Sequence, residues 1–166
     1  VAAVVLLEGG HGILKLSSFM GKPLIERSKG FLARSREKFA RHGFMVALLD
    51  APSDRAPKRM TPTFRISDEY AKDMKAVVSY LKQEENIPLW LVGMSLGSFS
   101  APNGAIRIKE GVDGLILASS VSSAPKRREI AGTHPNGILD MDLDKITVPT
   151  LITAHKDDKC KNCSPS

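Results

Sequence analysis

Five short runs of apolar residues, separated by longer polar or helix-period stretches, constrain the fold more than any other feature of the chain. They are Ala2 to Leu7, Phe44 to Leu49, Leu89 to Val92, Leu115 to Ala118 and Val148 to Thr153. These runs are rich in Val, Ile and Leu and do not alternate with polar residues, which is the pattern of strands buried on both faces. Three intervening segments read as helices. Gly30 to His42 carries Phe31, Leu32, Phe39 and Ala40 among basic residues. After Ser67, whose side chain can cap, Asp68 and Glu69 place negative charge on a first turn. Tyr70, Met74, Val77, Val78 and Leu81 then form one apolar helical stripe. Leu96 to Lys109 reads as the third helix, which Pro102 should kink. Val121 to Lys145 reads as a long irregular stretch. Strand–helix alternation predicts an α/β fold: a mainly parallel, twisted sheet of about five strands with helices on both faces. The whole of residues 1–166 is expected to form one domain.

Composition narrows the functional classes. A chain of 166 residues with 42 % hydrophobic and 25 % charged residues suits one globular domain. No apolar run approaches the roughly 20 residues of a membrane span. The formal charge of +6 raises nucleic-acid binding, but Lys and Arg are scattered, aromatics are only 5 %, and no nucleic-acid-binding motif appears, so none is expected. Cys160 and Cys163 alone do not make a zinc site, and no second pair exists to complete one. A local disulfide, a bridge to another segment and two free thiols all fit their spacing. A paired state would favour an oxidising, periplasmic or secreted setting. No metal or cofactor is expected.

In open parallel sheets ligands sit at the carboxyl ends of the strands. The residues following the third run are Gly93-Met94-Ser95-Leu96-Gly97, a G-x-S-x-G pattern between an apolar strand and a helical segment. A Ser in so sharp a turn presents its Oγ above the sheet, and bulkier residues at Gly93 and Gly97 would clash with the turn or the neighbouring strand. The helix behind adds partial positive charge, and the Leu96 N–H points where an oxyanion would form. After the first run, Gly9-Gly10-His11-Gly12 can bring backbone N–H groups close to a ligand, with Gly10 the candidate second donor. His11 reads as a pocket residue rather than a base, and Met94 as another pocket candidate. After the fifth run, Asp157 and Asp158 can orient an imidazole.

The order glycine loop, GMSLG, then VPTLI…DD resembles the α/β-hydrolase family over nearly the whole chain. The stretches LDAPSD and DDKCKNC resemble a bacterial branch of it. The resemblance implies Ser95 as nucleophile, Gly10 and Leu96 as the oxyanion hole, and Asp158, in preference to Asp157, as the triad acid. Glu8 departs from the family pattern, standing where many members have His, and Ala154-His155 replaces a His-Gly pair. The family's order is Ser, acid, His, yet His11, His42, His134 and His155 all precede Asp158. The chain therefore reads as lacking a C-terminal strand, a helix and a loop carrying the base. Its fifth strand would be an apolar edge, covered by that segment or by a partner chain. The implied activity is cleavage of an ester or related acyl bond in a small-molecule substrate. The alternative is an inactive hydrolase-like binding module.

Overall fold

A computed structural model describes residues 1–56 and 58–163. The described elements are β1 (Ala3–Leu7), β2 (Leu16–Phe19), β3 (Lys22–Ile25), α1 (Phe31–Arg41), β4 (Met45–Leu49), α2 (Pro62–Arg65), α3 (Asp68–Glu84), β5 (Leu89–Met94), α4 (Gly97–Arg107), β6 (Gly114–Ala118) and β7 (Thr150–Thr153). All five expected runs become strands of one sheet in the order β4-β1-β5-β6-β7, and every pairing is parallel. β1 and β5 are central, and β1 is buried along its whole length.

Period-two alternation sorts the strand side chains between the two faces. Ala3, Val5, Leu7, Leu89, Leu91, Leu115 and Leu117 pack with Met74 and Val78 of α3 and Phe99 and Ala101 of α4. Val4, Leu6 and Val92 face the other way, against Leu32 of α1. The helices are thus on both faces, as the apolar runs require. Ser67 caps α3 by accepting the Tyr70 N–H at 3.2 Å. The stripe behind it is buried at Tyr70, Met74 and Val78 and half-buried at Val77 and Leu81. Each fully buried apolar side chain of this kind contributes roughly 1.5–3 kcal/mol.

Pro102 does not break α4, which runs continuously from Gly97 to Arg107. Eight consecutive residues of its first two turns are buried, so packing outweighs the one backbone hydrogen bond that proline removes. Residues 15–29, left unassigned by periodicity, contain an antiparallel hairpin of β2 and β3. The loop after β4 contains α2. Between β6 and β7 the chain makes three short 3₁₀ turns, at Glu129–Gly132, Gly137–Asp140 and Leu143–Lys145. β7 is an edge strand of the described sheet, with Leu151 56 % and Ile152 69 % exposed. Cys160 and Cys163 pair with each other as a local disulfide. No helix among the described residues is long and apolar enough to cross a membrane.

Candidate active site

β5 ends at Met94 and α4 begins at Gly97, leaving two residues to turn the chain. Ser95 makes that turn with φ +51°, a left-handed conformation that residues with a Cβ rarely adopt. The surroundings hold it there. Its N–H donates to the Ala118 carbonyl at 3.1 Å, and its carbonyl accepts the Ser98 N–H at 2.9 Å. The turn is pressed onto β1: a Cβ on Gly97 would run into the Leu7 carbonyl oxygen. The glycine loop closes over it equally tightly. A Cβ on Gly9 would lie 2.8 Å from the Met94 carbonyl oxygen and 3.0 Å from the Ser95 Cβ.

This contact brings the glycine loop against the turn that carries Ser95 and Leu96. Among the described residues neither the Leu96 nor the Gly10 N–H has an intramolecular acceptor, whereas those of Ser95, Ser98 and Gly12 do. The Ser95 Oγ also makes no hydrogen bond among the described residues. A cavity of roughly 260 Å³ is lined by Gly10, Ser95 and Leu96 together with Val121, Ile130 and Cys163. A second, of roughly 520 Å³, meets the first at Gly10 and Ser95 and is lined also by His11, Leu14, Phe31 and Met94. The structure therefore brings Ser95, Leu96 and Gly10 onto one cavity, and Met94 and His11 onto the adjoining one. Such a wall offers a nucleophile position beside two free donors, the arrangement that acyl transfer uses.

Asp158 sits in the loop after β7, half-buried. Its carboxylate accepts the Cys160 N–H at 2.9 Å, and the Ser119 hydroxyl just after β6 acts to lower its pKa. The amide first, then the hydroxyl and the nearby His155, hold it below the usual carboxylate range against partial desolvation. Asp157 is exposed, and its N–H donates to His155 Nδ1 at 3.1 Å. The Cys160–Cys163 disulfide closes this loop, and the Asn162 carbonyl ties it to the chain after β6 by accepting the Ser122 N–H at 2.8 Å. Cys160, Asn162 and Cys163 line the 260 Å³ cavity, and Asp158 is not among its lining residues.

No imidazole among the described residues is hydrogen-bonded to Asp158. His42 Nδ1 lies 2.8 Å from the Lys38 carbonyl at the end of α1. His134 Nδ1 lies 2.8 Å from Thr133 Oγ1. His11 alone borders a cavity shared with Ser95, as an exposed residue of the glycine loop.

Glu8, singled out in the sequence only as a departure from the family pattern, and Arg65, not singled out, both support the glycine loop. Glu8 accepts the Gly9 N–H at 3.1 Å and the Ala33 N–H at 2.8 Å. It supplies the cap that Gly30 cannot, and its negative charge meets the positive end of α1. A carboxylate at this position thus fastens the glycine loop to a helix. Arg65, 1 % exposed, lies beneath the same loop. Its Nη1 donates to Ser100 Oγ at 3.0 Å, Nε to the Met60 carbonyl at 3.4 Å and Nη2 to the Gly10 carbonyl at 3.5 Å. Burial pushes its pKa down, while Tyr70 and Glu8 favour the charge. Tyr70 beside it is pushed up to about 12 by burial, although Arg65 and the Ser100 hydroxyl act in the opposite direction. The glutamate's bond to Ala33 spans 25 residues and the arginine's bonds to Ser100 and Gly10 span 35 and 55, separations that no short stretch of sequence reveals.

No family model and no curated protein matches the chain. Solved structures do. A thermostable carboxyl esterase from Bacillus coagulans superimposes over 80 % of the chain with a TM-score of 0.51 at 20 % identity. The fold is that of the α/β-hydrolases. A structure from the metagenome-derived lipolytic enzymes LipS and LipT superimposes over 92 % of the chain, with a TM-score of 0.56 at 15 % identity. Dipeptidyl peptidase 4 of Porphyromonas gingivalis covers 92 % with a TM-score of 0.54 at 16 % identity. The chain spans 39 % of the esterase, 71 % of the lipolytic enzyme and 23 % of the peptidase. At these identities an α/β-hydrolase likeness speaks for the architecture, and the chemistry has to be argued from the site.

Proposed function

We propose that the protein is a serine hydrolase that cleaves an ester or related acyl bond of a small molecule through an acyl-enzyme on Ser95. One observation carries the reading: a left-handed Ser at a strand-to-helix turn shares a cavity wall with two residues whose N–H groups are free, Leu96 and Gly10. In this reading the Ser95 Oγ attacks the carbonyl carbon as its proton passes to a base. The Leu96 and Gly10 N–H groups take up the negative charge that develops on the carbonyl oxygen. The leaving group departs with that proton, and water repeats the sequence to free the acid. One oxyanion donor is worth about 10²–10³ in rate.

Asp158 is the acid in this scheme. Its carboxylate is held below the usual range by the Cys160 amide, and an ionised carboxylate is the state that orients and stabilises an imidazolium. The scheme needs an imidazole base on Asp158, and none of the four histidines is hydrogen-bonded to its carboxylate among the described residues. The elbow, the glycine loop and the acid loop act as one hydrolase domain over residues 1–166.

The experiment is active-site labelling of the full-length protein with a fluorophosphonate. Wild type is labelled and Ser95→Ala is not. Absence of labelling in folded wild type removes the reading. It would favour the second one, an inactive binding module using the same cavity, which the lack of an imidazole on Asp158 supports.

A further inference from the structure

The hairpin of β2 and β3 plays no part in the proposed chemistry. All of its strand residues are exposed except Ile25, which is half-buried. It is nevertheless firmly rooted. Asp50 at the end of β4 accepts the Leu14 N–H at 2.6 Å and the Leu16 N–H at 2.8 Å, and the Arg27 N–H closes the base on the Leu14 carbonyl at 3.0 Å.

Its tip is apolar at a conformational cost. Met20 and Gly21 form a two-residue turn with φ +50° and +74°, both left-handed. Asn-Gly is the favoured pair for such a turn, because Asn tolerates the left-handed region far better than an unbranched apolar side chain does. A methionine there is 86 % exposed, and Phe19 before it is 66 % exposed. Leu16 and Leu24 are exposed as well. Neither the turn geometry nor the core accounts for these side chains.

The hairpin and its flanks carry an excess of positive charge: residues 15–29 contain four Lys or Arg against Glu26 alone. Lys15 pairs with Glu26 at the hairpin base. Lys22, opposite Phe19 in the register, and Lys29 have no acidic partner among the described residues. Exposed Phe and Met at the tip, beside the unpaired Lys22 and with Lys29 beyond the hairpin base, match the chemistry of a bilayer interface with anionic headgroups.

We infer that the hairpin is a membrane-surface anchor, whose tip residues Phe19 and Met20 enter the interface of an anionic lipid bilayer while Lys22 and Lys29 meet its headgroups. The attachment is peripheral. The base of the hairpin, at Leu14, Glu26 and Arg27, lines the 520 Å³ cavity at Ser95, so the anchored face is continuous with the mouth of the site. The inference stands apart from the proposed activity and is tested without it.

The test is co-sedimentation of the full-length protein with vesicles of pure phosphatidylcholine and of phosphatidylcholine containing phosphatidylglycerol. Wild type sediments with the anionic vesicles, weakly with the neutral ones, and is released by added salt. Phe19→Ser with Met20→Asn weakens anionic binding about tenfold, the scale of losing one partly buried apolar side chain. Met20→Asn alone keeps or raises the melting temperature, because Asn fits the turn, so reduced binding by this variant is not misfolding. Equal binding by wild type and the double variant overturns the inference, as does equal binding to both kinds of vesicle. Self-association that the double variant abolishes, without vesicle binding by wild type, assigns the tip to a second copy and also overturns it.

Discussion

Replacing Ser95 by glycine should make the protein more stable while removing the proposed nucleophile. The turn holds Ser95 at φ +51°, where a side chain costs about 1–2 kcal/mol relative to an ordinary conformation. Glycine escapes that cost, but its freer unfolded chain returns roughly 0.5–1 kcal/mol. The Ser95 Oγ makes no hydrogen bond among the described residues, so deleting it takes no native bond away. The expected balance is a gain of about 1 kcal/mol, or roughly 2–4 °C in melting temperature for a chain of this size. The proper reference is Ser95→Ala, which keeps the Cβ and the strain while losing the same hydroxyl. Urea unfolding of wild type, Ser95→Ala and Ser95→Gly gives the three stabilities on one scale. Ser95→Ala should match wild type within about 0.5 kcal/mol, with glycine above both. A glycine variant no more stable than the alanine variant would refute the claim that the elbow stores backbone strain. Gain of stability on loss of the reactive group is the trade-off expected of a strained functional site.

Gly97→Ala tests the contact between the elbow and β1. Its Cβ meets the Leu7 carbonyl, and two backbones must part, so a loss of about 3 kcal/mol or more is expected in urea unfolding, together with loss of fluorophosphonate labelling. Alkaline titration tests the burial of Tyr70. Its folded pKa of about 12 stands above the ordinary value of 10, so the folded state keeps a proton that the unfolded state releases. Stability is therefore unaffected below pH 10 and falls as pH rises from 10 to about 12, by roughly 2–3 kcal/mol. Tyr70→Phe should flatten that decline, and an identical alkaline profile for the variant would show that Tyr70 is not its source.

Much of the architecture was legible in the chain. The apolar runs gave all five sheet strands, and Ser67 with the stripe from Tyr70 to Leu81 gave α3 and its cap. The parallel pairing followed from alternation with helices. At the candidate site, GMSLG predicted a constrained Ser because its causes are local: a strand, two glycines and a helix within seven residues. Pro102 lies inside α4 as read, and the helix continues through it from Gly97 to Arg107. The hairpin was missed because Leu16, Phe19 and Leu24 face no core and so leave no periodic trace.

By itself the sequence determined the order of strands and helices, the glycines that let the elbow and the first loop approach, and the sharp turn at Ser95. These depend on chain sterics and on patterns a few residues long. Only the tertiary structure decided that Glu8 caps α1, that Arg65 holds the Gly10 carbonyl, that Asp158 accepts the Cys160 N–H, and that the two cysteines close on each other. A carboxylate, a guanidinium or a thiol can meet many partners. Which one it meets is set by the packing of the sheet and helices that carry them, a long-range property that no short window of sequence contains.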